Sequence, residues 1–301
     1  MNFTQHTPLD TFLNMLFERY QEKVPAVKKI TQAMIQQGIV GSQEEIVNDH
    51  IAFRTLGVPN LGIQSCEKIF LHHGYTKRDY YYFEGKKLNA YWYAPPSEVY
   101  PRIFMSELVV EQLSDKAQQI IHNYTRHITA DPIDILDLNN GQQIGEFFHQ
   151  SLWQLPTKPN YLALLEESEY AAWVIYNRYY LNHYTISVHA LKDGYNKLPQ
   201  FNDFVEGLGI KLNTAGGKIK VSPDGLLSQS STVAEMHEAT FANGETMSIA
   251  GSYVEFAERG ILPEFVNLPA AQVKTLHRRD GFETNNADKI FESTYTGQTK
   301  S

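Results

Sequence analysis

The sequence predicts an α+β fold in which two βαβββ units form a curved, barrel-like mixed sheet around a metal cavity, with added helices. Three observations predict it: a strand–helix–three-strand order occurs twice, one strand in each unit begins at a histidine, and a third strand carries a glutamate in a similar setting. Residues 1–301 are then one domain. Its parts are N-terminal helices (9–38), a first unit (48–112), a helical insertion (115–180), a second unit (181–260) and a C-terminal segment (261–301).

Apolar spacing predicts helix over residues 9–38. One face of it carries Leu9, Phe12, Leu13, Leu16 and Tyr20, the spacing of an amphipathic helix. Pro25 either breaks this helix or opens a second one, because proline fits the first turn of a helix but not its interior.

The first unit is predicted as a strand, a helix and three further strands. The elements are a strand (50–56), a helix (62–73), a hairpin (79–83 and 88–93) and a last strand (102–110). Gly74 is the expected stop of the helix, because glycine favours the turn that follows a helix.

After a mostly helical insertion, the same order is predicted again. Its elements are a strand opening at His183, an amphipathic helix (198–208), a short strand (219–221), an Asn-Gly hairpin turn (241–246) and the strand that carries Glu255. A single unit of this kind has an open sheet edge that needs a partner, so the two units are expected to share one concave surface.

Composition excludes several classes of protein. Hydrophobic residues make up 42% of the 301 residues and charged residues 20%, which is typical of a globular chain. The net charge of -8, without a basic block, argues against nucleic acid or an anionic membrane as a partner. No apolar stretch approaches the roughly 20 residues that span a bilayer.

Cysteine content and the first residues predict the compartment. The single Cys66 excludes an internal disulfide and a multi-cysteine metal site, and it fits a reducing environment. Met1–Asp10 contains no basic region followed by an apolar one, so these residues carry no secretory signal. We therefore expect a cytoplasmic protein.

Two histidines and one glutamate have the residue types of a metal site. His50, His183 and Glu255 each lie on a strand face of small and polar residues, backed by an apolar face. Unpaired polar groups in a dry core cost about 1–3 kcal/mol each, so these faces border bulk water or a wet cavity. Two imidazoles and one carboxylate form the facial set that holds a redox-active iron and leaves positions open for substrate and oxygen. Singly, each residue is more often structural, and Glu255 could pair with Arg259; their joint placement favours a metal.

Arg54 and Glu107 have two interpretations each. Arg54 lies four residues after His50, roughly 13 Å along a strand, and could bind the far carboxylate of a bound acid or form a salt bridge. Glu107 is the expected counterpart of Glu255 in the first unit, either as a fourth metal ligand or as a structural hydrogen-bonding group.

Several segments resemble a family formerly known as a domain of unknown function and now associated with 2-oxoadipate dioxygenase/decarboxylase. They are 48–55 (NDHIAFRT), 104–108 (FMSEL), 182–185 (NHYT) and 281–294 (GFETNNADKIFEST). Residues 253–259 (YVEFAER) are also similar to the metal-glutamate strand of 4-hydroxyphenylpyruvate dioxygenase, a vicinal-oxygen-chelate enzyme built from βαβββ units.

The resemblance implies an iron(II) enzyme that converts 2-oxoadipate and O2 into 2-hydroxyglutarate and CO2. It also implies a set of site residues: His50, His183 and Glu255 as the Fe2+ ligands and catalytic centre, Arg54 as the substrate arginine, and Asn285 and Asn286 as further substrate contacts. The implied partners are a small 2-oxo acid and O2, without nucleic acid or membrane. The oligomeric state is left open.

Three alternatives stay open at this stage. One is a glyoxalase-type isomerase or lyase that uses a non-redox metal with Glu107 as fourth ligand. Another is a hydrolase that uses zinc-bound water at the same three residues. The third is a non-catalytic protein that binds a small acid on the same scaffold.

Overall fold

A mixed eight-stranded sheet is the centre of the computed structural model, which describes residues 3–4 and 6–300. The strands are β1 (Asn48–Leu56), β2 (Thr76–Phe83), β3 (Leu88–Ala94), β4 (Arg102–Leu108), β5 (His183–Ser187), β6 (Lys220–Val221), β7 (Leu227–Ser231), β8 (Met236–Thr240), β9 (Thr246–Ala250) and β10 (Tyr253–Arg259). Their order in the sheet is β2-β3-β4-β1-β5-β10-β7-β6, and β8 and β9 pair separately as a hairpin.

The sheet consists of two similar halves that meet between β1 and β5. Within the halves, β1 runs parallel to β4 and β5 runs parallel to β10, whereas β1 and β5 are antiparallel to each other. Each half has the chain order strand, helix and three strands, apart from the β8–β9 hairpin that lies between β7 and β10. The predicted α+β class with a mixed sheet from two βαβββ units is confirmed. The domain bounds stay a prediction, and residues 1 and 301 lie outside the described residues.

Helices cover the outer side of the sheet and its ends. They are α1 (Pro8–Lys23), α2 (Pro25–Gln36), α3 (Ile63–His72), α4 (Asp115–Thr125), α5 (Gly141–His149), α6 (Lys158–Glu167), α7 (Glu169–Asn177), α8 (Leu198–Gly207), α9 (Thr284–Phe291) and α10 (Thr296–Thr299). Pro25 opens α2, so of the two interpretations of that proline the second is correct. Within the described part of the chain, no helix has the length and apolar character to cross a membrane.

Alternation along β1 separates the core from the site. Phe53 stacks on Phe148 of α5 at 5.0 Å between ring centroids and lies 5.7 Å from Phe70 of α3. His50 and Arg54 lie on the opposite face of the same strand. The apolar face of β1 therefore packs against helices, and its polar face is turned towards the interior of the curved sheet.

The insertion supplies a wall behind that interior. Tyr170 of α7 accepts a hydrogen bond from the Thr55 backbone N–H at 3.1 Å, and Trp173 of α7 donates to the Gly251 carbonyl at 2.8 Å. Both rings lie 5.1 Å from the Arg54 guanidinium. Helix α7 thus fixes β1 and the turn between β9 and β10, and it encloses the far end of the site.

Candidate metal centre

The three predicted metal ligands come together in the interior of the sheet. One ligand atom from each of His50, His183 and Glu255 lies within 4.8 Å of the other two, and all three residues are buried. The Nε2 atoms of the two histidines are 3.3 Å apart. His183 Nε2 is 3.0 Å from Glu255 Oε2, and His50 Nε2 is 3.5 Å from Glu255 Oε1.

Strand pairing at the middle of the sheet produces this arrangement. Ala52 of β1 lies opposite His183 of β5, and Thr185 of β5 lies opposite Glu255 of β10. Neighbouring strands are about 4.8 Å apart, so residues on one face of three adjacent strands converge on a single point. Between Asn48 and Ile51, β1 has one residue more than β5. This β-bulge contains His50, and bulges re-aim side chains.

Each histidine is oriented by the residue that precedes it. His50 Nδ1 is 2.8 Å from Asp49 Oδ1, and His183 Nδ1 is 3.0 Å from Asn182 Oδ1. Both partners are acceptors, so each Nδ1 carries the proton and each Nε2 keeps its lone pair for a metal. Orienting acceptors of this kind are typical of metal-binding histidines.

Asp49 is itself held by a buried arginine that sequence reasoning did not assign to the site. Arg259 donates to Asp49 Oδ2 from Nε at 2.6 Å and to Oδ1 from Nη2 at 2.8 Å. Burial acts to raise the pKa of Asp49, but the Arg259 charge and hydrogen bonds outweigh it and hold that pKa well below its usual value. Arg259 Nη1 also donates to the carbonyl of Gly281 at 2.8 Å. Arg259 thereby links the His50 side to the C-terminal segment.

Electrostatics at the centre favour an ionised glutamate and a protonated His50 in the absence of metal. Burial acts to raise the pKa of Glu255, yet the two histidines outweigh it and lower that pKa. Burial acts to lower the pKa of His50, but Glu255 and Asp49 outweigh it and raise that pKa above 6.5. For His183 burial dominates and lowers the pKa. Glu255 is therefore available as an anionic ligand, and a metal that binds His50 must displace its proton.

Aromatic and aliphatic side chains close the space beside the three ligands. The cavity has a volume of about 20 Å³ and is lined by His50, Phe104, His183, Gln229, Tyr253, Glu255, Phe282, Ala287, Ile290 and Phe291. Phe282 packs edge-on against His50, with 4.8 Å between ring centroids. Helix α9 contributes Ala287, Ile290 and Phe291, so it covers this space.

The predicted substrate residues occupy different environments. Arg54 is buried, donates to Thr294 Oγ1 at 3.0 Å and to the Phe291 carbonyl at 3.1 Å, and forms no ion pair with a described carboxylate. Asn286 is also buried, and its amide donates to Gln229 Oε1 at 3.1 Å. Asn285 lies on the exposed side of α9. The roles of all three as substrate contacts stay predictions.

Glu107 is not near the centre. Its Oε2 accepts a hydrogen bond from the Ile63 backbone N–H at 2.7 Å, at the start of α3. The expectation that it corresponds to Glu255 is wrong. Ala52 and Thr185 are equivalent positions, each two residues after the histidine of its half. The strand register pairs Ala52 with Phe104 and Thr185 with Glu255. Phe104 is the true counterpart of Glu255. Of the two interpretations of Glu107, a fourth metal ligand or a structural hydrogen-bonding group, the second is correct.

A larger cleft of about 660 Å³ lies around the loop after β1 and the start of α3. Its charged groups are compensated by neighbours: Lys68 pairs with Asp131 at 2.8 Å, and Lys77 pairs with Glu67 at 2.8 Å. Size alone therefore does not make it the reactive site, and the smaller cavity holds the only group of potential metal ligands found among the described residues.

The residues of the centre fit a divalent metal ion. Two oriented imidazoles and one ionised carboxylate supply three donors on one side, and no fourth histidine, cysteine or carboxylate of the described residues joins them. This donor set leaves coordination positions for exogenous ligands.

Comparisons with known proteins show the family of the chain. A family model described as 2-oxoadipate dioxygenase/decarboxylase matches residues 12–268. A protein named 2-oxoadipate dioxygenase/decarboxylase, chloroplastic, from Arabidopsis thaliana is 46% identical over 269 residues, which are 85% of this chain and 70% of that protein. One from Oryza sativa subsp. japonica, named chloroplastic/amyloplastic, is 43% identical over 298 residues, which are 96% of this chain and 79% of that protein.

Solved structures confirm the fold. Hydroxyglutarate synthase from Oryza sativa, crystallised in complex with 2-oxoadipate, gives a TM-score of 0.88 at 42% identity and covers 97% of this chain and 93% of that chain. A glyoxalase superfamily protein from Ralstonia eutropha gives a TM-score of 0.68 at 21% identity, with 92% of this chain and 87% of that chain covered. The second likeness is one of fold alone.

The cytoplasmic prediction is wrong. Both plant relatives carry names that place them in plastids and not in the cytoplasm. The prediction used a single cysteine and the lack of a secretory signal. These features distinguish a reducing compartment from an oxidising one, but they do not separate one reducing compartment from another.

We expect Asp49→Asn to weaken metal binding by about 10–100-fold, the usual effect of removing an orienting partner of a metal ligand. Asparagine can still accept a hydrogen bond from His50 Nδ1, but it is neutral, so it makes the imidazole a weaker metal ligand than the carboxylate does. It also leaves Arg259 without its counter-charge, and breaking a buried pair costs about 3–5 kcal/mol of unfolding free energy. Chelator competition and urea unfolding measure the two effects. Asp134→Asn, which breaks an exposed pair with Lys68, is the control and should change neither by much. Unchanged metal affinity in Asp49→Asn would contradict the orienting role.

Metal affinity should rise with pH until His50 loses its proton. The imidazole must be neutral to bind a metal, and its pKa in the metal-free protein is raised above 6.5. Below that raised pKa, each metal ion that binds displaces about one proton from His50. Above it, metal binding displaces no proton from His50. Calorimetry in two buffers of different protonation enthalpy counts these protons. A proton count of zero at pH 6.5 and below would be inconsistent with a protonated His50.

Proposed function

The chain belongs to the 2-oxoadipate dioxygenase/decarboxylase family, and from that premise we propose an iron(II)-dependent enzyme that converts 2-oxoadipate and O2 into 2-hydroxyglutarate and CO2. His50, His183 and Glu255 hold the metal in this proposal. The reaction is an oxidative decarboxylation. The carboxyl group next to the oxo carbon leaves as CO2, and both atoms of O2 enter the products.

The observation that carries this proposal is a buried guanidinium without a counter-ion on the strand that also carries a metal ligand. Arg54 is 1% exposed, and its Nε atom has no hydrogen-bond partner among the described residues. It lies on the same face of β1 as His50. An unpaired buried charge is costly, so a site that keeps one favours a ligand that supplies the opposite charge.

A six-carbon 2-oxo diacid meets both requirements. Its oxo and adjacent carboxylate oxygens suit a metal with open positions, and its second carboxylate lies several bonds away, where Arg54 can bind it through two parallel hydrogen bonds. The rings of Tyr170 and Trp173, each 5.1 Å from the guanidinium, hold Arg54 in place through cation–π contacts.

The protein and the metal have separate tasks. Iron(II), when bound, supplies Lewis acidity and redox chemistry with O2. The chain orients the diacid between the metal centre and Arg54, and the aromatic lining, including Phe104 and Phe282, excludes water from the reacting end.

Substrate entry requires movement of side chains. A space of about 20 Å³ is close to the volume of one water molecule and is too small for a six-carbon acid. Ile290 and Phe291 of α9 line the cavity, and the Phe291 carbonyl accepts a hydrogen bond from Arg54. A carboxylate that binds Arg54 competes with this carbonyl, so α9 is the element that must yield. Asn285 and Asn286, on the same helix, stay predicted substrate contacts.

The alternatives from the sequence lose support. The glyoxalase-type isomerase used Glu107 as a fourth ligand, and Glu107 is committed to the start of α3. A non-catalytic acid-binding protein has no need of three converging metal ligands. No feature of the described residues favours a zinc hydrolase over the dioxygenase.

Oxygen consumption is the direct test. Protein loaded anaerobically with iron(II) and given 2-oxoadipate should consume one O2 per CO2 released and form 2-hydroxyglutarate, and 2-oxoglutarate and 4-hydroxyphenylpyruvate should react more slowly. Glu255→Ala should lose iron and activity together. No oxygen uptake by protein that demonstrably holds iron would overturn the proposal in favour of non-redox chemistry at the same residues.

Arg54→Met should raise KM for 2-oxoadipate by roughly 30-fold or more, because a charge pair of this kind is worth about 2–5 kcal/mol. Activity with 2-oxohexanoate, which has the same length but no second carboxylate, should change little. Arg178→Met is the matched control, since Arg178 is also buried and donates only to the Trp153 carbonyl among its described partners. Equal losses for both substrates in Arg54→Met would show that Arg54 does not bind the second carboxylate.

A further inference from the structure

A buried glutamine beside the metal centre is not accounted for by the proposed function. Gln229 of β7 is 2% exposed, and its Nε2 donates to Glu255 Oε1 at 2.7 Å. Its Oε1 accepts from Asn286 Nδ2 at 3.1 Å. An ionised carboxylate only accepts hydrogen bonds, and the Asn286 amide nitrogen only donates, so both neighbours require this orientation of the Gln229 amide.

We infer that Gln229 restricts Glu255 to one metal-binding oxygen, Oε2, and that Asn286 keeps Gln229 in the position to do so. Oε2 lies 3.0 Å from His183 Nε2, whereas Oε1, which lies 3.5 Å from His50 Nε2, accepts the Gln229 hydrogen bond at 2.7 Å. A charge-assisted hydrogen bond to one carboxylate oxygen favours metal binding through the other.

Single-oxygen binding matters because it keeps coordination positions free. A six-coordinate metal held by two imidazoles and one carboxylate oxygen has three positions left. A 2-oxo acid needs two of them and O2 needs the third. A carboxylate that bound through both oxygens would take one of these positions. The inference thus rests on the proposed function for what fills the positions, but it concerns residues whose effect can be measured without turnover.

Strand register explains how Gln229 reaches Glu255. Gln229 lies directly opposite Ala257, and Ser231 lies opposite Glu255, so Gln229 and Glu255 are diagonal neighbours on antiparallel strands. Diagonal neighbours are within reach of long side chains. Ala257 has only a methyl group, which leaves the diagonal path open.

Asn286 anchors the glutamine to α9. It is 1% exposed, and besides Gln229 its amide nitrogen lies 3.3 Å from the Lys220 carbonyl and 3.2 Å from the Leu227 carbonyl. These carbonyls belong to β6 and β7. Asn286 therefore ties the helix that covers the cavity to the strand that carries Gln229, and this positioning role needs no contact with the substrate.

Cobalt(II) provides a readout that does not depend on catalysis. Gln229→Met keeps side-chain length and removes both hydrogen bonds. Cobalt(II) protein should then show an altered visible d–d spectrum as Glu255 gains freedom to bind through both oxygens. Anaerobic titration should show that 2-oxoadipate binds this form roughly tenfold or more weakly than it binds the wild-type form. Cobalt is supplied at saturation, because metal affinity itself should fall by about 10–100-fold.

Asn202→Leu is the matched control. Asn202 is a buried residue on α8 whose amide oxygen accepts a hydrogen bond from Ser230 Oγ at 2.7 Å. Ser230 directly follows Gln229 in the sequence, and Asn202 has no described contact to Glu255. It should keep the wild-type spectrum and 2-oxoadipate affinity. If Gln229→Met does not fold, Asn286→Ser, which leaves Gln229 present but unanchored, is tested with a smaller expected change. In that variant an altered cobalt spectrum is the supporting result, because Asn286 is itself a predicted substrate contact.

The outcomes separate this inference from the proposed function. A wild-type spectrum and wild-type 2-oxoadipate affinity in a folded Gln229→Met or Asn286→Ser protein, even with lower thermal stability, would overturn the inference and leave Gln229 a structural residue. Failure of the wild-type cobalt protein to bind 2-oxoadipate would instead count against the proposed substrate, and the spectra alone would then decide the role of Gln229.

Discussion

The antiparallel seam between β1 and β5 is the constraint on which the site depends. It places Ala52 opposite His183, so the two histidines, 133 positions apart in the chain, have Nε2 atoms 3.3 Å apart. Parallel pairing of β5 with β10 then adds Glu255. Because side chains alternate, a slip of one residue at this seam would turn one histidine into the apolar layer. The packing of Phe53 against α3 and α5 resists such a slip, so the core maintains the metal centre.

Buried charge distinguishes the supporting parts of the site from the reactive parts. Asp49 and Arg259 are both 1% exposed and form a two-pronged pair, so their charges cancel where they orient His50. Arg54 is equally buried but has no such partner, and its charge is left for a ligand. Each of the two strands, β1 and β10, thus carries a candidate metal ligand and a buried guanidinium, compensated in Arg259 and uncompensated in Arg54. Here compensation fits a group that positions His50, and its absence fits a group that binds an anionic ligand.

Local pattern was sufficient to predict that His50, His183 and Glu255 converge, because each lies on a strand whose period-two alternation can be read from a few residues. Partners that depend on register between distant strands were not accessible. Gln229 reaches Glu255 diagonally from β7, Arg259 reaches Asp49 across the seam, and the β-bulge at His50 has no sequence signature of its own. Glu107 was matched to Glu255 by its place in a motif, whereas the register pairs Phe104 with that position. The prediction of a cytoplasmic protein failed for a different reason. A single cysteine indicates a reducing environment, and this does not identify the compartment.

The equivalent position of the two halves carries a glutamate in one, Glu255, and a phenylalanine in the other, Phe104. This difference explains why the centre has an open side. With a carboxylate at both Phe104 and Glu255, the pseudo-symmetric sheet would offer two histidines and two carboxylates, and the metal would be more nearly enclosed by protein. Phe104 instead lines the cavity together with Phe282, whose ring centroid is 4.8 Å away, and with Phe291 of α9. The missing donor therefore coincides with the apolar wall under α9. In the other half, Gln229 also reduces the number of protein donors, because it limits Glu255 to one metal-binding oxygen. Both features reduce the number of protein donors, and a metal with few protein donors is what a chelating acid and O2 require.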